Sequence, residues 1–200
     1  METGSQLETY FMKELVPFVE RGAGLPVAAG ARSRAIAGLS MGGHGAVTLA
    51  LRNPGSFRTA SSMSGILDIT THPKSWQIAQ RLGALQEHRS RWEGHSAAYL
   101  LRSEAEPNLP LLFACGDTDR AAWAENQALH EELTAAGRDH EWRTSGAGHS
   151  WTYWRGELPE HVAFAAEYLR GDGVRPRPPT DEVVEPGSPA PEKPAAEKGK

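Results

Sequence analysis

The sequence predicts an α/β fold, a mostly parallel sheet with helices on both faces, and three observations carry the prediction. A short strand, a tight turn and a small-residue helix succeed one another between Arg34 and Arg52. The apolar run Leu111-Leu112-Phe113-Ala114-Cys115 is followed by turn residues and then by a helical stretch from about Ala122 to Ala136. A further strand-like stretch, His140 to Thr144, leads through a glycine-rich turn towards a last helix. Strands alternating with helices imply a parallel sheet, because each crossover helix returns the chain to the edge it left.

The elements follow in order. Leu7, Phe11, Leu15 and Val19 recur every four positions, which places them on one face of a helix directed at a core, with Pro17 expected to kink its last turn. Arg34-Ala35-Ile36-Ala37 reads as a strand, and Gly42 to Arg52, rich in Ala, Val and Leu, reads as a helix stopped by Asn53-Pro54-Gly55. Phe57 to Met63 is the next strand, its pattern diluted by serines. From Asp68 to Glu106 the large residues Trp76, Leu82, Leu85, Trp92 and Leu100 suggest helical pieces without a clean period, an excursion over the sheet. Leu111 to Cys115 is bounded by Pro110 and by Gly116-Asp117, and Gly137 closes the helix that follows. The last helix runs from about Leu158 to Leu169, with Leu158, Val162, Ala165 and Leu169 on one face. Past Arg170 the chain turns to Pro, Glu, Lys, Ala and Gly and holds too little apolar surface to offset its ordering entropy. The expected organisation is one domain over 1–170 and a disordered tail over 171–200.

Composition narrows the function. Of 200 residues 39% are hydrophobic and 23% charged, enough apolar material for a single core. A formal charge of −4 supplies no basic field, so nucleic acid and anionic membrane surfaces are excluded as partners and a small neutral substrate fits better. The single cysteine, Cys115, allows neither an internal disulfide nor a thiolate metal site; no metal and no cofactor is expected. The chain has no apolar run long enough for a bilayer, and METGSQLETYF lacks the features of a signal peptide, so a cytoplasmic location is the expectation.

Chemistry is concentrated in Gly38-Leu39-Ser40-Met41-Gly42, a G-x-S-x-G pattern between a strand and a helix. Such a turn holds its serine in a strained conformation with the hydroxyl above the sheet edge, and glycines remove side chains that would collide with neighbouring elements. The N-terminus of the following helix brings partial positive charge to where an oxyanion would form. A serine hydroxyl needs a base, and His149 in Gly146-Ala147-Gly148-His149-Ser150-Trp151 lies in a loop at the carboxyl edge of the predicted sheet, where ligands bind in open α/β folds. His130, His140 and His161 fall on or beside regular elements, His72, His88 and His95 fall in the excursion, and His44 is near enough to Ser40 to face the elbow helix or the pocket. The acid comes from Gly116-Asp117-Thr118-Asp119, where either aspartate could orient the imidazole while the other caps the next helix.

These residues resemble the putative-esterase family of α/β-hydrolases, which includes feruloyl esterases, S-formylglutathione hydrolase, tributyrin-type esterases and mycolyltransferases. The likeness runs over about residues 7–170 and rests on Glu14-Leu15-Val16-Pro17, Ala37 to Gly43, Ser64-Gly65, Cys115 to Asp119, and Gly148-His149-Ser150-Trp151 with Trp154. The resemblance implies the α/β-hydrolase fold and a catalytic triad of Ser40, His149 and Asp119, the acid falling on the last position of its loop. It also implies Met41 N–H as an oxyanion donor, Gly38 and Gly42 as elbow glycines, and a serine carboxylic ester hydrolase acting on a small ester. The family normally begins with several strands that are not found before Leu7, so the resemblance also implies an esterase domain whose first strands are missing. An acyltransferase with the same triad and an inactive truncated paralogue are the alternatives.

Overall fold

In the computed structural model the described residues are 7–24, 26–30, 33–103, 109–170 and 182–183. Five strands form one parallel sheet: β1 (Ala35–Leu39), β2 (Thr59–Met63), β3 (Leu111–Gly116), β4 (Glu141–Ser145) and β5 (Glu182–Val183), in the spatial order β1-β2-β3-β4-β5. β5 falls inside the range expected to be a tail, and at those two residues the chain pairs with β4; the rest of 171–200 lies outside the described residues.

The steps from β1 to β4 all run the same way across the sheet, so right-handed crossovers put their helices on one face. Those helices are α2 (Met41–Arg52), the short α3 (Ile78–Leu82), α4 (Arg89–Glu93) and α5 (Ala97–Ser103), and α6 (Trp123–Ala135). The opposite face is covered by α7 (Trp151–Leu169). The alternation of side chains along β3 shows the division: Leu111, Phe113 and Cys115 join Val47, Leu101 and Leu129 in the main core, while Leu112 and Ala114 meet Phe164, Tyr168, Tyr153 and Trp154 of α7. Phe113, Leu101 and Leu112 are within 1% of complete burial, and each such side chain contributes about 1.5–3 kcal/mol.

The N-terminal helix starts with α1 (Leu7–Tyr10) and continues as wide π-type turns, Phe11–Leu15 and Phe18–Gly22, on either side of Pro17, whose own backbone stays helical. Proline has no N–H to donate to the preceding turn, and the widened turns flank that gap. Of the predicted apolar face, Phe11 packs on the core, Leu15 and Val19 are half-buried and Leu7 is exposed, so the face is only partly used. Elsewhere the predicted strands and helices recur with ends shifted by a residue or two, except that α7 begins at Trp151 rather than near Leu158. Ser150 caps it by accepting from Tyr153 N–H, and Pro159 is accommodated inside the helix on its solvent side. Among the described residues no helix is long and apolar enough to cross a membrane.

Candidate active site

The register of β1 to β4 aligns their carboxyl ends: Leu39 stands opposite Met63, Met63 opposite Ala114, and Gly116 opposite Ser145. The segments that follow, at Ser40, Ser64, Asp117 and Gly146, therefore leave the sheet along one edge.

Ser40 is the residue between β1 and α2, with φ 52° and ψ −124°. A non-glycine residue at positive φ costs about 1–3 kcal/mol, and the surroundings hold it there: Ser40 N–H donates to the Met63 carbonyl (2.8 Å) while His44 N–H donates to the Ser40 carbonyl (3.1 Å). The bend requires small residues beneath it. A Cβ on Gly38 would overlap the Gly42 carbonyl, and one on Gly43 would stand 2.5 Å from Ser62 Oγ and 3.1 Å from Gly65 Cα. A Cβ on Gly42 would meet nothing within 4 Å among the described residues, so the space-making role expected of both pattern glycines belongs to Gly38 and Gly43. A third glycine directly after the G-x-S-x-G pattern is the signal in the sequence for that role.

Ser40 Oγ lies 2.9 Å from His149 Nε2, across 109 residues of sequence. On the other side of the ring, His149 Nδ1 lies 2.8 Å from Asp119 Oδ2. A carboxylate only accepts, so Nδ1 carries the hydrogen and Nε2 is left to accept from the serine hydroxyl. The second oxygen of Asp119 accepts from Ala121 N–H (3.0 Å) and Ala122 N–H (3.2 Å), which fixes the carboxylate from behind, and the residue is fully buried. Asp117 is exposed and stands outside this chain of contacts. The loops bearing acid and imidazole are tied together by Asp117 N–H on the Ser145 carbonyl (2.9 Å) and Thr118 N–H on the Ala147 carbonyl (3.2 Å). Their approach is so close that a Cβ on Gly116 would overlap the Ala147 carbonyl group.

Around this chain, Met41 opens α2 and its side chain is 80% exposed; its N–H belongs to the first turn, whose N–H groups have no intrahelical acceptor. Trp154 meets the His149 ring edge-on, with centroids 4.8 Å apart, and Trp151 stands exposed beside it. The other histidines are used elsewhere. His44 Nε2 donates to the His95 carbonyl (2.8 Å), and burial pushes its pKa down. His130 Nδ1 and His140 Nε2 are 2.8 Å apart, with His130 stacked on Trp142 of the main core, and His72 lies 3.5 Å from Glu125. Cys115, at the end of β3, is fully buried, and burial pushes its thiol pKa far up, so it stays protonated.

The chain is similar to proteins that share this arrangement of sheet and helices. A bovine S-formylglutathione hydrolase is 28% identical over 173 residues, which cover 84% of this chain and 59% of that protein. Among solved structures, a ferulic acid esterase matches with a TM-score of 0.66 at 28% identity, covering 81% of this chain and 60% of that one. An S-formylglutathione hydrolase from Agrobacterium tumefaciens matches with a TM-score of 0.66 at 25% identity, covering 80% and 57%. The chain thus spans about three-fifths of the length of these relatives, and its fold is that of the α/β-hydrolases. The sequence profile described as Putative esterase matches residues 2–165, a stretch that contains the elbow, Asp119 and His149, and the chain belongs to that family.

Proposed function

We propose that the chain is a serine hydrolase of small carboxylic esters working through an acyl-enzyme. The observation that carries the reading is the continuous line from Ser40 Oγ through His149 to Asp119 Oδ2, with steps of 2.9 and 2.8 Å. Ser40 Oγ attacks the ester carbonyl, a C–O bond forms, and its proton passes to His149 Nε2. The carbonyl oxygen becomes an oxyanion facing the first turn of α2, where the Met41 N–H donates to it. Collapse of this intermediate breaks the bond to the alcohol, which leaves with the proton from Nε2. Water then repeats the sequence in reverse, giving up a proton to Nε2 and releasing the acid and free Ser40. Asp119 keeps the imidazole in the tautomer that accepts from Ser40 and stabilises its charged form.

The similar proteins are named for different substrates, S-formylglutathione and ferulic acid esters, and what these share is an acyl group carried to water. The purified chain is expected to hydrolyse p-nitrophenyl acetate or butyrate and to be labelled by a fluorophosphonate, and Ser40→Ala to lose both. A wild-type chain with neither turnover nor labelling would sink the reading.

A further inference from the structure

His149 has two side-chain hydrogen bonds, and both lie along one line through the ring, from Asp119 to Ser40. Contacts of that kind hold the imidazole within its own plane and leave tilting out of the plane unopposed. The residue sits on a loop and its side chain is 29% exposed, so it is not fully enclosed by its surroundings. What meets the ring from outside that line is Trp154, whose indole stands at 86° to it with centroids 4.8 Å apart.

Trp154 is itself rigidly held. It is 8% exposed on α7, packed with Met63 of β2, Ala114 of β3 and Tyr153, and flanked by Leu39 and Ala147. Trp151 also meets it, at 85° with centroids 5.3 Å apart. The indole Nε1 finds no hydrogen-bond partner among the described residues. A buried tryptophan normally pairs that N–H, so what this position uses is the flat aromatic body.

We infer that Trp154 is a positioning residue for His149, a buried aromatic wall that keeps the imidazole in the plane joining Asp119 to Ser40. The inference rests on the triad reading above and extends it to a residue that acts only through the His149 ring it meets. Its effect falls on the chemical step, because a tilted imidazole takes the serine proton less well while the substrate is bound as before.

The test compares Trp154→Met, which fills much of the volume with a flexible chain, and Trp154→Phe, which restores a flat ring without the N–H. An edge-on aromatic pair predicts a fall of about 3- to 10-fold in kcat, and in the rate of fluorophosphonate labelling of Ser40, for Trp154→Met, with KM held. Trp154→Phe is expected to recover most of the loss. A second readout is independent of turnover: the downfield NMR signal of the Nδ1 proton shared with Asp119, sharp in the wild type and in Trp154→Phe and broadened in Trp154→Met. Unchanged kcat in Trp154→Met, a change in KM alone, or a Phe variant no better than Met would each overturn the proposal. So would the absence of an indole-to-imidazole nuclear Overhauser contact in the wild-type chain, a measurement that does not depend on any variant folding. A wild type without turnover or labelling removes the esterase reading, and the Nδ1 signal and the Overhauser contact then still decide on Trp154.

Discussion

Gly38 lies so close beneath Gly42 that a Cβ on it would overlap that residue's carbonyl group and stand 2.8 Å from the Gly43 nitrogen. The obstructing atoms are backbone, which cannot swing aside as a side chain can. Gly38→Ala must therefore open the turn that carries Ser40, at a cost of about 1–3 kcal/mol for overpacking. Gly42→Ala meets nothing among the described residues, sits in the first turn of α2, and exchanges glycine for a better helix former worth about 0.5–1 kcal/mol. Thermal unfolding and fluorophosphonate labelling should separate the two, with Gly38→Ala less stable and poorly labelled and Gly42→Ala at least as stable as wild type and labelled. Equal damage from both would refute this asymmetry.

The same contrast can be drawn between the two aspartates after β3. Asp119→Asn keeps an oxygen for Ala121 N–H and Ala122 N–H but presents an amide donor to His149 Nδ1–H, which favours the wrong tautomer. A loss of about 10³–10⁴ in kcat is expected, with stability little changed. Asp117→Asn, at an exposed position, should stay within about twofold of wild type. If the two variants exchanged these outcomes in p-nitrophenyl ester assays, the acid would be Asp117.

That pair marks how far the sequence could be read. The elbow was legible in five residues because its chemistry is local: a strand, a bend and a helix leave their signature in adjacent positions. The two aspartates differ in burial, and burial depends on how the loop after β3 folds against Ala147, which spacing does not encode. Residues 69–103 resisted a periodic reading because their helices span three to seven residues, too short for a 3.6-residue period to repeat. Trp92 in that stretch is nonetheless fully buried, with its indole N–H on the Gly83 carbonyl at 2.9 Å. β2 looked weak for the opposite reason: Ser61 and Ser62 are buried in it, so polar residues occupy positions where a pattern expects apolar ones.

Glu125 provides a stability prediction with a definite sign. Its side chain is 9% exposed, and burial, reinforced by the nearby Asp68 carboxylate, raises its pKa from 4.5 to about 8 against the hydrogen bonds that would lower it. His72, 3.5 Å away, is pushed down by its own burial. Both shifts favour neutral forms, so the contact is not an ion pair near neutrality. The folded state holds the Glu125 proton where the unfolded state has lost it, so this contribution is full below about pH 4.5 and drains away as pH rises towards 8. Glu125→Gln removes that loss while keeping an acceptor for Asp68 N–H and Thr71 Oγ1. The variant should melt several degrees above wild type at pH 8 and close to it at pH 5, on the order of 2–4 kcal/mol apart between the two conditions. A gap that is the same at both pH values would show that Glu125 ionises normally.

His161 gives the opposite slope. It is 1% exposed within α7, neither ring nitrogen has a partner among the described residues, and burial, followed by the charge of Arg143, lowers its pKa to about 3. An unfolded chain binds a proton there below about pH 6.5 while the folded one refuses it, so wild-type stability drains as pH falls from 6.5 towards 3, by about 1.4 kcal/mol per unit. His161→Leu has nearly the same volume, leaves no unpaired nitrogen, and does not touch the Arg143 bonds to Glu157 and Glu160. Burying an unpaired polar group costs about 1–3 kcal/mol, so the variant should equal or exceed wild type at pH 8. Its advantage should widen steadily in urea titrations taken down to pH 4. A parallel decline of the two proteins would mean that acid attacks the fold elsewhere, and a less stable variant at pH 8 would mean that His161 makes a bond that holds α7, and with it Trp154, against the sheet.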